Sequence, residues 1–229
     1  MSKSFNQLFD SQITTLRHRL TIDPQQLEHF ESTLKQFHDS NEELMDQMME
    51  KLRESVNPKA APALEALKSQ KSNVFERAKK IEISDGHIPF LPVIPAPYFG
   101  GYDNLMNLVE NSGGNLLYDT KITNEVKVPD RPYYIFDVDN GSNWDRRSRK
   151  ERMKRSELTA AELISLVALH FDDLEGFNWW AGGSSAAWSP AKSSSPCLEK
   201  KYGENHVTLW TRASSVKDIP SCLCRMDPR

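Results

Sequence analysis

The sequence predicts an α+β protein. An N-terminal helical hairpin or small bundle over residues 1–80 precedes a mixed domain with a largely antiparallel sheet over residues 86–229. Three observations carry this. Apolar residues in the first 80 positions recur at helical spacing. The composition changes at "IEISDGHIPF", and all five tryptophans lie beyond it. The remainder alternates β-forming pieces with Gly, Ser and Pro clusters.

Phe5, Leu8, Phe9, Ile13, Leu16 and Leu20 form the first apolar stripe. The pattern restarts at Asp23, which suits an N-cap, with Pro24 at the first helical position, where its missing N–H costs nothing. Leu27, Phe30, Leu34 and Phe37 make a narrow seam. Ser40 and Glu43 have capping-box spacing, and Leu44, Met45, Met48, Leu52 and Val56 make a third stripe. After "VNPKAAP", Pro62 opens a fourth helix with Leu64, Leu67, Val74, Phe75 and Ala78 inward. Twelve basic residues balance twelve acidic ones in this region. Its two readings are a solvated helical bundle and an arm for self-association or a protein partner.

In "HIPFLPVIPAPYFGG", Pro89, Pro92 and Pro95 stand three apart among apolar residues. A central strand fails, because prolines facing both neighbours would remove donors from both ladders. The expectation is an extended, edge-like strand at the start of the second domain. "YDNLMNLVENSGG" then reads as a helix with Asp103 as N-cap and Gly113 just past its end. "PYYIFDVDNG" reads as a strand and turn. "SELTAAELISLVALHFDDL" reads as a helix opened by a Thr159–Glu162 capping box. "FNWW", "SAAW", "PCLEKKY" and "HVTLW" read as antiparallel strands.

The segments "IPFLPVIP", "PYYIFDVDNG", "LTAAELISLVALHFDDL", "AGGSSAAWSP" and "GENHVTLWTRASS" together resemble an uncharacterised bacterial family that carries a domain of unknown function. The resemblance covers about residues 86–216. The insertion "SNWDRRSRKERMKR" and the "PCLEKKY" segment depart from the family's pattern. The resemblance implies a boundary near residue 85 and a single C-terminal domain. It implies no catalytic residue, because the family has no established activity.

Net charge is −3, which gives no global signature of nucleic-acid binding. No window reaches the run of about 18 apolar residues that a membrane helix needs, and the first residues lack an apolar leader. Three cysteines do not make a disulfide framework. These features predict a cytoplasmic protein with no membrane association and no cofactor.

Five local features bear on chemistry. "DRRSRKERMKR" holds Arg146, Arg147, Arg149, Lys150, Arg152, Lys154 and Arg155 against two acidic residues. It is a candidate for an anion or nucleic acid, although its basic charge precedes a helix N-terminus and does not complement the dipole there. Cys197, His206, Cys222 and Cys224 are zinc-ligand types without finger or ribbon spacing, so no metal is expected. In "DVDNGSNWD", Gly141 stands where a calcium loop needs an oxygen ligand. Asp137, Trp180, Trp188 and Trp210 are pocket candidates on the late strands, where aromatic residues equally fill a core. "AGGSSAAW" offers Ser184 and Ser185 but is neither a nucleophile elbow nor a phosphate loop.

The reading these features favour is a non-catalytic binding or interaction protein of the bacterial cytoplasm. It would contact a partner or a second copy through residues 1–80. One alternative is a small hydrolase or transferase with a site near Asp137 and the tryptophan strands. The other is an RNA- or phosphate-binding protein that uses the 146–155 cluster, and nucleic acid is the less expected partner.

Overall fold

A computed structural model describes residues 4–20, 58–109, 112–115, 121–140, 155–174, 178–189, 192–200, 207–213 and 224–225. In chain order the elements are α1 (Phe5–Leu20), α2 (Ala60–Lys68), α3 (Lys71–Lys80), β1 (Ile88–Val93), α4 (Ala96–Phe99), α5 (Tyr102–Met106), β2 (Ser112–Asn115), β3 (Ile122–Asn124), β4 (Tyr133–Val138), β5 (Ser156–Glu157), α6 (Ala160–His170), β6 (Asn178–Trp180), β7 (Ser184–Ser189), β8 (Lys192–Lys200), β9 (Val207–Ala213) and β10 (Cys224–Arg225). The protein is α+β, with helices at the N-terminus and a largely antiparallel sheet beyond them.

The main sheet runs β2-β9-β8-β7-β3, and β6 also pairs with β8. Its ladders are antiparallel except β2 with β9, which is parallel. β1 pairs antiparallel with β4 in a separate two-stranded ladder, and β5 pairs antiparallel with β10. Among the described residues β1 has a partner on one side only, so of Pro89 and Pro92, which face opposite sides, just one costs the ladder a donor. The edge-like strand expected here is therefore present.

α6 lies between the β1–β4 ladder and the main sheet and touches both. Ten of its eleven residues are buried, Leu169 being the exception. A helix this uniformly apolar has no solvent face and belongs in the interior. Its Thr159 N-cap accepts from the Glu162 N–H while the Glu162 side chain accepts from the Thr159 N–H, which completes the expected capping box. Ser184 from β7 adds a third cap by accepting from the Ala160 N–H at 3.0 Å. At Gly183 a Cβ would lie 2.6 Å from the Glu157 carbonyl oxygen, so only glycine lets β7 start this close to β5.

The N-terminal stripe is buried as its spacing predicts, with Leu8, Phe9, Ile13, Leu16 and Leu20 all facing inward. The helix packs on α2 and α6, and its Phe5 and Phe9 rings reach the β1–β4 ladder. Phe9 stacks on Tyr134 at 5.9 Å between centroids and meets Phe75 of α3 edge-on at 5.7 Å. Phe5 meets Phe90 of β1 edge-on at 5.8 Å. These rings form one aromatic cluster that joins α1, α3, β1 and β4. Such pairs add about 0.5–1.5 kcal/mol each beyond their buried area.

Two details differ from expectation. The fourth helix is two helices, broken at Ser69–Gln70, and Pro62 is the third residue of α2, still within the first turn where its missing N–H is harmless. The Gln70 side chain donates to the carbonyls of Ala66 and Pro132, both at 2.9 Å, and so ties the break to the approach to β4.

The second difference lies at "GGYDNLM". Asp103 is not the N-cap of a helix reaching Gly113. Gly101, at φ 115°, caps α5, so Asp103 sits inside the first turn, and α5 ends at Met106. Gly100, at φ 93°, closes α4 in the left-handed conformation that glycine supplies without strain. Ser112–Asn115 is then recruited as β2 alongside β9, so Gly113 lies in a strand. Long-range pairing overrides the local helix signal here.

The expected helix start at Asp23–Pro24, the Ser40–Glu43 capping box and the stripe from Leu44 to Val56 lie outside the described residues. Among the described residues, no helix is long and apolar enough to cross a membrane.

A buried histidine–aspartate–arginine cluster as candidate functional site

The first end of the β1–β4 ladder gathers most of the buried charge described in the molecule. The register that pairs Ile88 with Val138 and Phe90 with Phe136 puts Pro89 opposite Asp137. Proline has no N–H to offer across the ladder. Asp137 adopts φ 48°, a left-handed conformation that aspartate tolerates better than most residues because its short side chain can bond locally. Its main-chain carbonyl accepts from Arg155 Nη2.

The carboxylate is equally committed. Asp137 Oδ1 lies 2.7 Å from His87 Nδ1 and accepts the Ser84 N–H at 3.0 Å. Asp137 Oδ2 accepts from Arg155 Nη1 at 2.5 Å. On the far side of the ring, His87 Nε2 is 3.9 Å from Asp139 Oδ1. Local sequence builds this arrangement. Gly86, at φ 76°, turns the chain so that His87 enters just before β1. Asp137 and Asp139 are two apart along the end of β4, and Arg155 immediately precedes β5.

The side chains of His87 and Asp137 are 0% and 1% exposed, and Arg155 is 12% exposed. Burial alone would raise the Asp137 carboxyl. Hydrogen bonds from His87, Arg155 and the Ser84 N–H outweigh it and hold the group well below the usual carboxylate range. A His–Asp pair can serve a nucleophile or a water when the ring's second nitrogen faces substrate. Here that nitrogen faces Asp139 in the interior, so the arrangement binds its own members together.

A second buried polar line runs through α1. Gln12, 3% exposed, donates through Nε2 to the Phe90 carbonyl at 2.9 Å and contacts His170 Nε2 at 3.0 Å. His170 Nδ1 in turn lies 3.0 Å from Asp173 Oδ2. A third group surrounds Glu162, whose Oε1 accepts from the Tyr133 hydroxyl at 3.0 Å. Burial, with the Glu162 charge adding to it, pushes the Tyr102 hydroxyl up to about 12, and burial alone pushes that of Tyr134 well above its ordinary value.

Of the pocket and anion-site candidates read from sequence, the side chains of Asp137, Arg155 and Trp180 lie within the described residues. Asp137 and Arg155, assigned above to a pocket and to an anion site, meet each other in this interior pair. Arg146, Arg147, Arg149, Lys150, Arg152 and Lys154 lie outside the described residues. Trp180 is buried opposite Cys197, with its indole N–H lacking a hydrogen-bond partner among the described residues. Trp188 and Trp210 stand in β7 and β9, and their side chains lie outside the described residues. Trp179 fills the core edge-on to Phe171 at 5.8 Å.

Cys197 is buried. His206 and Cys222 lie outside the described residues, as does the side chain of Cys224. Gly141 and the residues after it in the calcium-like stretch lie outside them too. Among the described residues, no three His, Cys, Asp or Glu side chains converge as a metal site would require. Ser184 donates to Asn124 Oδ1 at 2.8 Å and caps α6, which gives it a structural task.

Sequence reasoning passed over Gln12 and His87, and met Asp139 only in the Asp-x-Asp start of the calcium-like stretch. Gln12 lay unremarked between the apolar positions of the first stripe. The alternation in "FDVDN" put Asp137 and Asp139 on the same side of a strand, and that was a readable sign of two carboxylates held together. Compared with protein-family models, curated proteins and solved structures, the chain matches none.

Proposed function

We propose that this is a non-catalytic binding or interaction protein of the bacterial cytoplasm. One observation carries the reading. The described cluster of titratable groups that could most readily be taken for catalytic machinery, His87, Asp137 and Arg155, is largely buried, and His87 and Asp137 direct their polar atoms at one another and at Arg155. A catalytic group must reach a substrate atom, directly or through one water. The bacterial setting rests on the family resemblance of residues 86–216.

The contact with a partner or a second copy is assigned to the helical front. The stripes of α1, α2 and α3 are consumed inside the molecule, where Leu16, Leu67 and Val74 are buried. The reading therefore rests on the apolar seams expected from sequence in residues 21–57, with Leu27, Phe30, Leu34 and Phe37 as the anchors.

Self-association tests this. The full chain should sediment as more than a monomer at high concentration, and a variant with Leu27, Phe30, Leu34 and Phe37 changed to Ser should return to monomer with unchanged circular dichroism. A wild-type monomer at every accessible concentration would sink the second-copy form of the reading. Turnover that is lost when Asp137 becomes Asn, in a protein still folded, would overturn it in favour of a hydrolase or transferase. Salt-dependent RNA binding that is lost when Arg146, Arg147 and Arg149 become Ala would overturn it in favour of the basic cluster.

A further inference from the structure

The contact between Gln12 and His170 has a polarity that the Phe90 carbonyl dictates. That carbonyl can only accept, so the Gln12 atom 2.9 Å from it must be the amide nitrogen. The same nitrogen is 3.0 Å from His170 Nε2, and its second proton points there. Nε2 must then be an acceptor, which places the imidazole proton on Nδ1, 3.0 Å from Asp173 Oδ2. The geometry therefore describes a neutral ring in one tautomer.

Protonating Nε2 sets a donor against a donor. Rotating the Gln12 amide does not relieve this, because it would place the amide oxygen against the Phe90 carbonyl. We infer that Gln12–His170 is a proton-sensitive catch for α1: neutral His170 fastens the helix to the rest of the fold, and imidazolium releases it. The catch lies in the interior and is independent of the interaction proposed for residues 21–57.

Among the described residues, the groups brought against the ring by neighbouring elements are few in kind. α1 contributes the Gln12 amide, and β1 acts through the Phe90 carbonyl. Neither titrates. The turn after α6 contributes Asp173, whose carboxylate favours the imidazolium and so sets how readily the catch opens. That carboxylate is 67% exposed, which weakens its pull on the ring relative to the buried amide contact. Asp10 of α1 is engaged elsewhere, 2.9 Å from Lys71. Asn140 holds the Asp173 main-chain carbonyl at 3.2 Å and fixes the turn.

Hydrogen exchange resolved by segment reads the release directly. Corrected for intrinsic rates, protection of the α1 amides should fall roughly tenfold between about pH 7.5 and about pH 5, while β4 amides keep theirs. His170→Gln offers an acceptor that does not titrate, and its α1 protection should not change across that range. Should that variant fail to fold, Asp173→Asn serves instead, and it should move the opening to lower pH by removing the charge that favours the imidazolium. Equal pH dependence in wild type and His170→Gln, wild-type protection that does not change with pH, or an Asp173→Asn midpoint that does not move would each overturn the catch.

Discussion

Two buried histidines in this molecule are held in opposite ways. His87 sits between two carboxylates at the end of the β1–β4 ladder, with an arginine closing the group. His170 is held at one nitrogen by a neutral amide and at the other by a carboxylate that reaches solvent. The first ring is set among charged groups, and the second meets a neutral amide donor. Burial alone therefore does not tell what a histidine does. The partner's ability to donate or accept decides it.

The largest way to break this contrast is at Arg155. Arg155→Met takes the cation from the buried Asp137 carboxylate, leaving it His87 and the Ser84 N–H, and should cost about 3–5 kcal/mol in denaturant unfolding, since breaking a buried ion pair leaves a charge uncompensated. A loss under 1 kcal/mol would mean that water reaches Asp137. The smaller break is Gln12→Leu. It leaves the Phe90 carbonyl and His170 Nε2 without their donor and should cost about 1–3 kcal/mol by the same measurement. A larger cost for Gln12→Leu than for Arg155→Met would reverse the ranking of the two sites.

The finest distinction is in pH. The Asp137 carboxyl is depressed in the folded state, so the unfolded chain takes up its proton first as pH falls. Its contribution is fully present above the ordinary carboxylate value of about 4 and is lost progressively below it, at up to about 1.4 kcal/mol per pH unit. Asp137→Asn should flatten that acid limb when stability is followed from about pH 5 to about pH 2. An acid limb as steep as that of wild type would place the titration elsewhere.

What was legible in the sequence follows from the range of the forces involved. The first helix, the capping box at Thr159 and Glu162, and the strand from Tyr133 to Val138 are written in local periodicity and local hydrogen bonds, and all three are present. The helix expected after Asp103 was also a local signal, but Ser112–Asn115 answers to a strand nearly a hundred residues away. The His87–Asp137–Arg155 cluster was legible in part. Asp137 and Arg155 stood out as residues, yet nothing in their spacing said that they would meet, and His87 carried no mark beyond its place before a proline-bearing strand.

The fastening of α1 also bears on how the chain is made. Phe9 needs Phe75 and Tyr134, and Gln12 needs a histidine 158 residues further on. At usual synthesis rates those 158 residues take roughly 8–30 s to follow. During that interval the apolar stripe of α1 can be covered only in part, by α2 and α3. A nascent chain of this protein should therefore engage a chaperone through Phe5–Leu20 and let go of it only after α6 has been translated.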